Sequence, residues 1–126
     1  MGTKRLLVVD DALFMRKRIR EIAETAGWEI AGEAEDGEQA LAIYEQTKPD
    51  LVTLDIVMPK LDGVSTLKQL MQFDPQARVV MVSAVNQKPK LAECIAAGAI
   101  DFIVKPFDKA GLLAFFEKSL AADNQS

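Results

Sequence analysis

Short apolar runs alternate with longer amphipathic stretches along the chain. The strongest runs are rich in Val, Leu and Ile, and uninterrupted runs of this kind are typical of strands that are buried on both faces of a sheet. They lie at 6–9, 51–54, 79–82 and 102–104. A weaker run at 30–34 alternates in the manner of an edge strand. The pattern therefore predicts five strands.

The stretches between and after these strands have helical periodicity and recognisable ends. In the first, apolar residues recur at helical spacing up to Gly27, while charged residues such as Arg16 are predicted to point mostly away from that apolar stripe. Asp62 is placed to cap the third helix. Pro89 opens the fourth and Gly98 follows its end, which is the usual asymmetry of helix termini. Five helices are predicted in total.

Five strands that alternate with five helices predict an α/β fold, a doubly wound parallel sheet covered by helices on both faces. Parallel strands bring their carboxyl ends to one edge of the sheet, where open α/β proteins bind ligands. Polar residues follow four of the predicted strands at this edge, and they are Asp10, Asp11, Asp55, Ser83 and Lys105. We therefore expect these side chains to meet, although they are far apart in the sequence.

Composition limits the classes of function. The 126 residues, 49% hydrophobic and 27% charged, fit one soluble domain that spans residues 1–126. A net charge of −4 argues against non-specific binding to nucleic acid or to a membrane surface. Cys94 is the single cysteine and cannot form an internal disulfide. With no apolar run long enough for a signal peptide or a membrane span, we expect a cytoplasmic protein.

The three acidic residues favour a magnesium site. Adjacent carboxylates at a strand end repel each other, and Mg²⁺ compensates such a cluster because it prefers a few carboxylates and several waters. Taken separately, each acid has a simpler interpretation. Asp11 would cap the following helix, Asp10 would be solvated, and Asp55 would cap a turn. Together, Asp10, Asp11 and Asp55 point to a metal.

Ser83 and Lys105 complete the polar set. A serine before a loop commonly bonds to nearby backbone, and that local interpretation stays open for Ser83. Lys105 precedes Pro106, which restricts the backbone on both sides of that bond, so we expect its ammonium group to be less free to move in solvent than that of a lysine on a helix surface. The sequence does not decide whether the Lys105–Pro106 bond is cis or trans.

Four segments resemble a known family in sequence, order and spacing. They are DD at 10–11, DIVMPKLDG at 55–63, SA at 83–84 and GAIDFIVKPF at 98–107. Over nearly the whole chain they resemble the receiver domain of bacterial response regulators. The resemblance implies a flavodoxin-like, CheY-like fold with the strand order 2-1-3-4-5.

The resemblance also implies a role for each residue of the polar set. Asp55 is implied as the phosphoryl acceptor. Asp10, Asp11 and Asp55, together with the backbone carbonyl of Val57, are implied as the ligands of Mg²⁺.

Three further roles follow from the same resemblance. Lys105 is implied as the cation that contacts the acyl phosphate, Ser83 as the switch hydroxyl and Phe102 as the switch aromatic residue. Serine and phenylalanine stand here where threonine and tyrosine are common in the family.

These roles describe a phosphoacceptor signalling protein rather than an enzyme. The chain contains no histidine, so a partner must supply the phosphoryl group, either a histidine kinase or a phosphotransfer protein. We expect no output segment after Leu120, so the output must be a contact with another protein. We also expect a monomer. The stretch DDALFMRKRI resembles chemotaxis receivers, which implies a flagellar switch protein as target and a phosphatase as a further partner.

Other functions are compatible with parts of the pattern. A stand-alone phosphorelay or kinase-regulating receiver would use the same residues. A small-molecule aspartyl-phosphate hydrolase would also use the acid cluster, but it normally needs an insertion to enclose its substrate. A flavodoxin-like FMN carrier would share the fold, yet DDALFM would repel the FMN phosphate in the absence of a metal.

Overall fold

The computed structural model describes residues 2–125, with their side chains as far as residue 121. The elements alternate regularly along the chain. The strands are β1 (Arg5–Val9), β2 (Glu29–Ala34), β3 (Leu51–Leu54), β4 (Val79–Ala84) and β5 (Asp101–Lys105). The helices are α1 (Leu13–Thr25), α2 (Gly37–Thr47), α3 (Gly63–Phe73), α4 (Lys88–Ala97) and α5 (Lys109–Gln125), and a 3₁₀ turn, Val85–Gln87, precedes α4.

The five strands form one parallel sheet in the order β2-β1-β3-β4-β5, which confirms the predicted fold. The three strands in the middle of this sheet, β1, β3 and β4, are the apolar runs with almost every residue buried. Because successive side chains point to opposite faces, each strand contributes to two separate cores.

One core lies between the sheet and helices α2, α3 and α4, and Leu54, Leu67 and Leu91 represent its strand and helix contributions. The other lies between the sheet and helices α1 and α5, where Ile19 and Phe116 are fully buried. Helices therefore cover both faces of the sheet, so that only its edges and the loops at the strand ends remain accessible.

Strand β5 differs from its prediction. The run at 102–104 was expected to be buried on both faces, but β5 begins with two exposed residues, Asp101 and Phe102, and the rest of the strand is only half-buried. The prediction is wrong because an apolar run does not reveal whether its strand lies inside a sheet or at its end, and β5 lies at the end.

The predicted helix boundaries are confirmed where the sequence carried a clear signal. The Asp62 carboxylate accepts a hydrogen bond of 2.8 Å from Ser65 N at the start of α3. Gly98 follows α4 with a φ of 120°, and Gly27 follows α1 with a φ of 105°, a region that favours glycine. Within residues 2–125, no helix has the length and apolar character required to cross a membrane.

Candidate functional site

The carboxyl ends of four strands bring the predicted polar residues together. Asp10 follows β1, Asp55 follows β3, and Ser83 and Lys105 lie in the last two positions of β4 and β5. Hydrogen bonds connect residues that are between 28 and 95 positions apart in the sequence. The expected meeting of these side chains is therefore observed.

Asp55 lies at the centre of this group and is only 7% exposed. One carboxylate oxygen, Oδ1, accepts hydrogen bonds from Ile56 N at 2.7 Å and from the Ser83 hydroxyl at 2.9 Å. The other, Oδ2, accepts from the Lys105 ammonium at 3.0 Å. The carboxylate is thus held in one orientation by three donors, and the interpretation of Asp55 as a turn cap receives no support from these bonds.

Asp10 is buried even more completely, with 1% of its surface exposed. Its Oδ1 accepts from Ala12 N at 2.9 Å, and its Oδ2 accepts from the Lys105 ammonium at 2.6 Å. The interpretation of Asp10 as a solvated residue is therefore wrong. The neighbouring Asp11 is exposed, and it does not cap α1, since the N-cap residue of that helix is Ala12 and no side chain caps it.

One carboxylate oxygen from each of Asp10, Asp11 and Asp55 lies within 4.8 Å of the other two. Mg²⁺ holds its oxygen ligands at about 2.1 Å, so ligands on opposite sides of the ion lie about 4.2 Å apart. The three carboxylates fit such an ion after small side-chain movements or with water in the remaining positions. The donor set, all hard oxygens, is the type that Mg²⁺ prefers.

The charges in this cluster are only partly balanced. Burial raises the pKa of Asp10 above its ordinary value of 3.8, against the opposing effects of the hydrogen bonds from Lys105 and Ala12. Burial works to lower the pKa of Lys105, but its hydrogen bond to Asp10 and the charges of Asp55 and Asp10 raise it overall. Lys105 therefore stays protonated, and its ammonium group bonds to two of the three carboxylates of the cluster, those of Asp10 and Asp55.

Ser83 contacts Asp55 rather than nearby backbone. Its side chain is buried and donates the 2.9 Å bond already described, so that the local interpretation of this serine is wrong. Ser83 also pairs in the sheet with Val104 of β5. Phe102 lies two residues earlier on β5, and 41% of its surface is exposed. The hydroxyl and the aromatic residue are thus on adjacent strands, one inside and one outside.

The loop after β3 folds back onto the backbone of Asp55. Gly63 N donates a 2.7 Å hydrogen bond to the Ile56 carbonyl. A Cβ atom at position 63 would overlap the Asp55 carbonyl oxygen and lie 2.7 Å from Ile56 Cα. Only glycine allows this approach. The sequence offered a signal, a glycine directly after the capping Asp62, but the contact itself was not predicted.

Two further observations complete the site. The Lys105–Pro106 peptide bond is cis, which the sequence left undecided. Val57 lies in the loop two residues after Asp55, with 56% of its surface exposed, and Val85 in the loop after β4 is equally exposed. Both residues follow strands that end at this edge of the sheet, Val57 in the loop after β3 and Val85 in the 3₁₀ turn after β4.

Comparison with known proteins gives a consistent result. The model of the response regulator receiver domain family matches residues 6–117. Protein CcdB of Bacillus subtilis is 53% identical over 109 residues, which cover 86% of this chain and 91% of that protein. The chemotaxis protein CheY of Bacillus subtilis is 48% identical over 116 residues, which cover 92% of this chain and 97% of that protein.

Solved structures show the same similarity. A chain in the crystal structure of the CheX–CheY–BeF₃–Mg²⁺ complex from Borrelia burgdorferi superimposes with a TM-score of 0.87 and 39% sequence identity. The alignment covers 93% of this chain and 89% of that one. That complex contains magnesium and a beryllium fluoride group.

Proposed function

Because the chain belongs to the response regulator receiver domain family, we propose that Asp55 is the residue that accepts the phosphoryl group and that Mg²⁺ is required for the transfer. The protein is a signalling protein of a two-component system. The observation that carries the assignment of Asp55 is the Lys105 ammonium, which lies 2.6 Å from an Asp10 oxygen and 3.0 Å from an Asp55 oxygen. It brings positive charge directly to the carboxylate that would attack.

The transfer exchanges one bond for another. An Asp55 carboxylate oxygen forms a bond to phosphorus while the bond between phosphorus and the donor's imidazole nitrogen breaks, and the imidazole leaves with the bonding electron pair and takes up a proton. Such reactions depend mainly on positioning and on neutralisation of charge. With no histidine of its own, this chain receives the group from a histidine kinase or a phosphotransfer protein.

Each residue of the cluster has a distinct task in this proposal. Asp10, Asp11, Asp55 and the backbone carbonyl of Val57 would hold Mg²⁺, which neutralises charge on the phosphoryl oxygens when bound. Lys105 would move from the two carboxylates to the phosphoryl oxygens. The bonds that fix Asp55, from Ile56 N and Ser83, orient the attacking oxygen.

The output would start at Ser83. Its hydroxyl now donates to Asp55, and a phosphoryl group on Asp55 offers new acceptor oxygens that would draw it inward. Because Ser83 pairs with Val104, this movement reaches β5, where the exposed Phe102 ring can change its position. The surface formed by α4, β5 and α5 would then bind the target.

Chemotaxis is the pathway that the comparisons favour. We infer from this pathway that the target is a flagellar switch protein and that a phosphatase is a further partner. The 48% identity to a chemotaxis protein over nearly the full length supports this assignment. A second candidate is a stand-alone phosphorelay or kinase-regulating receiver. The 53% identity to Protein CcdB, a name that does not mention chemotaxis, favours retaining it.

Labelling with acetyl phosphate tests the central assignment. In the presence of Mg²⁺ we expect the intact mass to increase by one phosphoryl group that hydroxylamine removes, and we expect Asp55→Asn to abolish the increase. The matched control is Asp101→Asn, which alters an exposed aspartate on β5. Undiminished labelling of Asp55→Asn would refute the assignment, while repeated release of phosphate from added metabolites would identify a hydrolase instead.

Partner capture separates the two pathways. Protein activated with beryllofluoride and Mg²⁺ is compared with untreated protein as bait. A flagellar switch protein that binds only the activated form would establish chemotaxis. A phosphotransfer protein as the only partner, carrying a reactive histidine, would favour a relay.

A further inference from the structure

Arg16 on α1 does not point away from the protein, contrary to the expectation for the charged residues of this helix. Only 12% of its side chain is exposed. Its Nη1 donates a 2.7 Å hydrogen bond to the backbone carbonyl of Asp10, and its Nε lies 3.1 Å from Glu33 Oε1 on β2. A largely buried guanidinium therefore links the end of β1 to the neighbouring strand.

Arg16 contacts the Asp10 carbonyl at the point where no neighbouring strand supplies a backbone N–H to it. The Val9 carbonyl still accepts from Asp55 N at 3.1 Å, but β1 ends at Val9, and the next carbonyl accepts from Arg16 instead. A hydrogen bond from a charged donor is stronger than one between neutral groups. Arg16 thus continues the fixation of the β1 backbone one residue beyond the strand.

With the Arg16 bond, every polar atom of Asp10 takes part in a hydrogen bond. Its N–H donates to the Ala34 carbonyl at 3.0 Å, its own carbonyl accepts from Arg16, and its carboxylate accepts from Ala12 N and Lys105. With the backbone fixed on both sides, the carboxylate has little freedom to turn. Loss of the Arg16 bond would release the peptide group that aims it into the acid cluster.

We propose that Arg16 is a positioning residue for the metal site, which it serves by fixing the Asp10 backbone and so the direction of the Asp10 carboxylate. Glu33 holds the guanidinium in the orientation that this bond requires. The inference rests on the proposed function, since it assumes that Mg²⁺ binds at Asp10. It adds a residue that does not touch the ion but sets the affinity for it.

The test measures Mg²⁺ affinity directly, by calorimetry without any phosphodonor. We expect Arg16→Met, which keeps the length and apolar bulk of the side chain, to raise the Kd for Mg²⁺ by about tenfold, as is usual when a group that orients a metal ligand is removed. The increase in melting temperature caused by Mg²⁺ should shrink accordingly. At saturating Mg²⁺, labelling by acetyl phosphate should return close to the wild-type rate.

Arg20→Met is the matched control. Arg20 Nη1 lies 3.0 Å from the other oxygen of Glu33, yet no hydrogen bond connects Arg20 to Asp10. A merely structural role of the arginine–glutamate pairs predicts similar Mg²⁺ affinities for the two variants. Our inference predicts that only Arg16→Met binds more weakly and that Arg16→Lys, which retains a donor for the Asp10 carbonyl, recovers much of the affinity.

The outcomes are distinguishable. Unchanged Mg²⁺ affinity in a folded Arg16→Met variant overturns this inference alone. If that variant fails to fold, Glu33→Met decides, because it frees the guanidinium: weaker Mg²⁺ binding supports the inference and unchanged binding overturns it. Absence of Mg²⁺ binding by the wild-type protein would overturn the proposed function, and this inference with it.

Discussion

Strands β3 and β5 both deliver a charged residue to the acid cluster, but their surroundings are different. All four residues of β3, Leu51–Leu54, are buried, and β1 and β4 pair with it on either side. β5 lies at the end of the sheet, begins with two exposed residues and is nowhere fully buried. Asp55 therefore follows a fixed strand, whereas Lys105 ends a less confined one.

The difference indicates a division of labour at one edge of the sheet. In the proposed function, phosphoryl transfer requires an attacking oxygen in a fixed position, and the buried strand β3 would provide it. In the proposed function, transmission of the signal requires a strand that can shift, and the end strand β5 would be that strand. Ser83 connects the two, since it bonds to Asp55 and pairs with Val104 of β5. We therefore expect a chemical change at Asp55 to displace β5 more readily than β3.

The largest effect on stability should come from a substitution that disturbs the backbone directly after β3. In Gly63→Ala the new methyl group would overlap the Asp55 carbonyl oxygen, and both contacting groups are backbone atoms that cannot swing away. We expect a loss of about 3 kcal/mol in the free energy of unfolding, the upper range for overpacked sites. Labelling of Asp55 should fall as well. Urea unfolding and intact-mass measurement check the two expectations.

Gly111→Ala in the first turn of α5, the helix that follows β5 in the chain, provides the matched comparison. There the nearest atom to a new Cβ is Asp108 Oδ1, at 2.6 Å, and that side chain can move. The change would disturb the bond from Gly111 N to Asp108 but favour the helix, so we expect a net effect within about 1 kcal/mol. Equal losses of unfolding free energy in the two variants would contradict the contrast between a rigid backbone after β3 and a more tolerant region after β5.

The next largest effect should appear in partner binding, after a substitution on the end strand β5. Phe102→Ala removes an exposed ring, so the stability and the labelling of Asp55 should change little. Binding of the output partner to beryllofluoride-activated protein should weaken by about tenfold, the size expected for an aromatic anchor at an interface. Lys90→Glu on the exposed face of α4 should act in the same direction.

Phe73→Ala is the control for Phe102, because Phe73 is also exposed, at 53%, but lies at the end of α3. Titration of the partner against each activated variant gives the comparison. Wild-type affinity in both Phe102→Ala and Lys90→Glu would place the output surface elsewhere on the molecule.

The sequence predicted the fold well because the fold depends on features that are local. The apolar runs of β1, β3 and β4 and the end signals at Asp62, Pro89 and Gly98 each need only a few neighbouring residues. The position of β5 at the end of the sheet depends on strand order instead. No local pattern within 102–104 distinguishes a central strand from an end strand, so its exposure was not predicted.

The site, too, was predicted where it depends on the order of the elements and missed where it depends on a contact between distant residues. The grouping of Asp10, Asp55, Ser83 and Lys105 followed from strand ends, which the topology brings together. The contact of Arg16 with a backbone carbonyl did not, because helical periodicity places this arginine on the polar side and carries no information about the end of β1. Backbone acceptors leave no trace in residue type.

A smaller effect is expected from the buried charge of Asp10. Burial raises the pKa of this carboxyl above 3.8, so the folded, metal-free protein binds the proton more readily than the unfolded chain. Its stability should therefore fall as the pH rises from 3.8 through the raised pKa, and the loss is complete above it. Asp10→Asn removes this loss, while Lys105 keeps Asp55 as a partner.

Thermal melting in EDTA at a series of pH values measures the effect. We expect a higher melting temperature for Asp10→Asn than for the wild type at neutral pH, and a weaker decline with rising pH. Asp101→Asn, at the exposed start of β5, should change neither. A lower melting temperature of Asp10→Asn at neutral pH would show that the ion pair with Lys105 outweighs the cost of burial.

The smallest effect should appear in the lifetime of the phosphorylated state. Hydrolysis of the acyl phosphate requires a water molecule aligned behind phosphorus. The two positions that the family resemblance places beside the phosphoryl group are Val57 and Val85, and neither has a polar group to hold this water. Val57 is 56% exposed, so a polar replacement is accommodated without disturbing the core. We expect slow self-dephosphorylation in the wild type and an acceleration of about threefold in Val57→Asn, well below the roughly hundredfold of full general acid–base catalysis.

Val57→Ala is the control, because it opens space for water without supplying a hydrogen bond. The decay of the phosphorylated mass after removal of acetyl phosphate gives the rates. A decay in Val57→Asn that matches Val57→Ala would mean that access of water, and not its orientation by the residue beside the fixed carboxylate, determines how long the signal lasts.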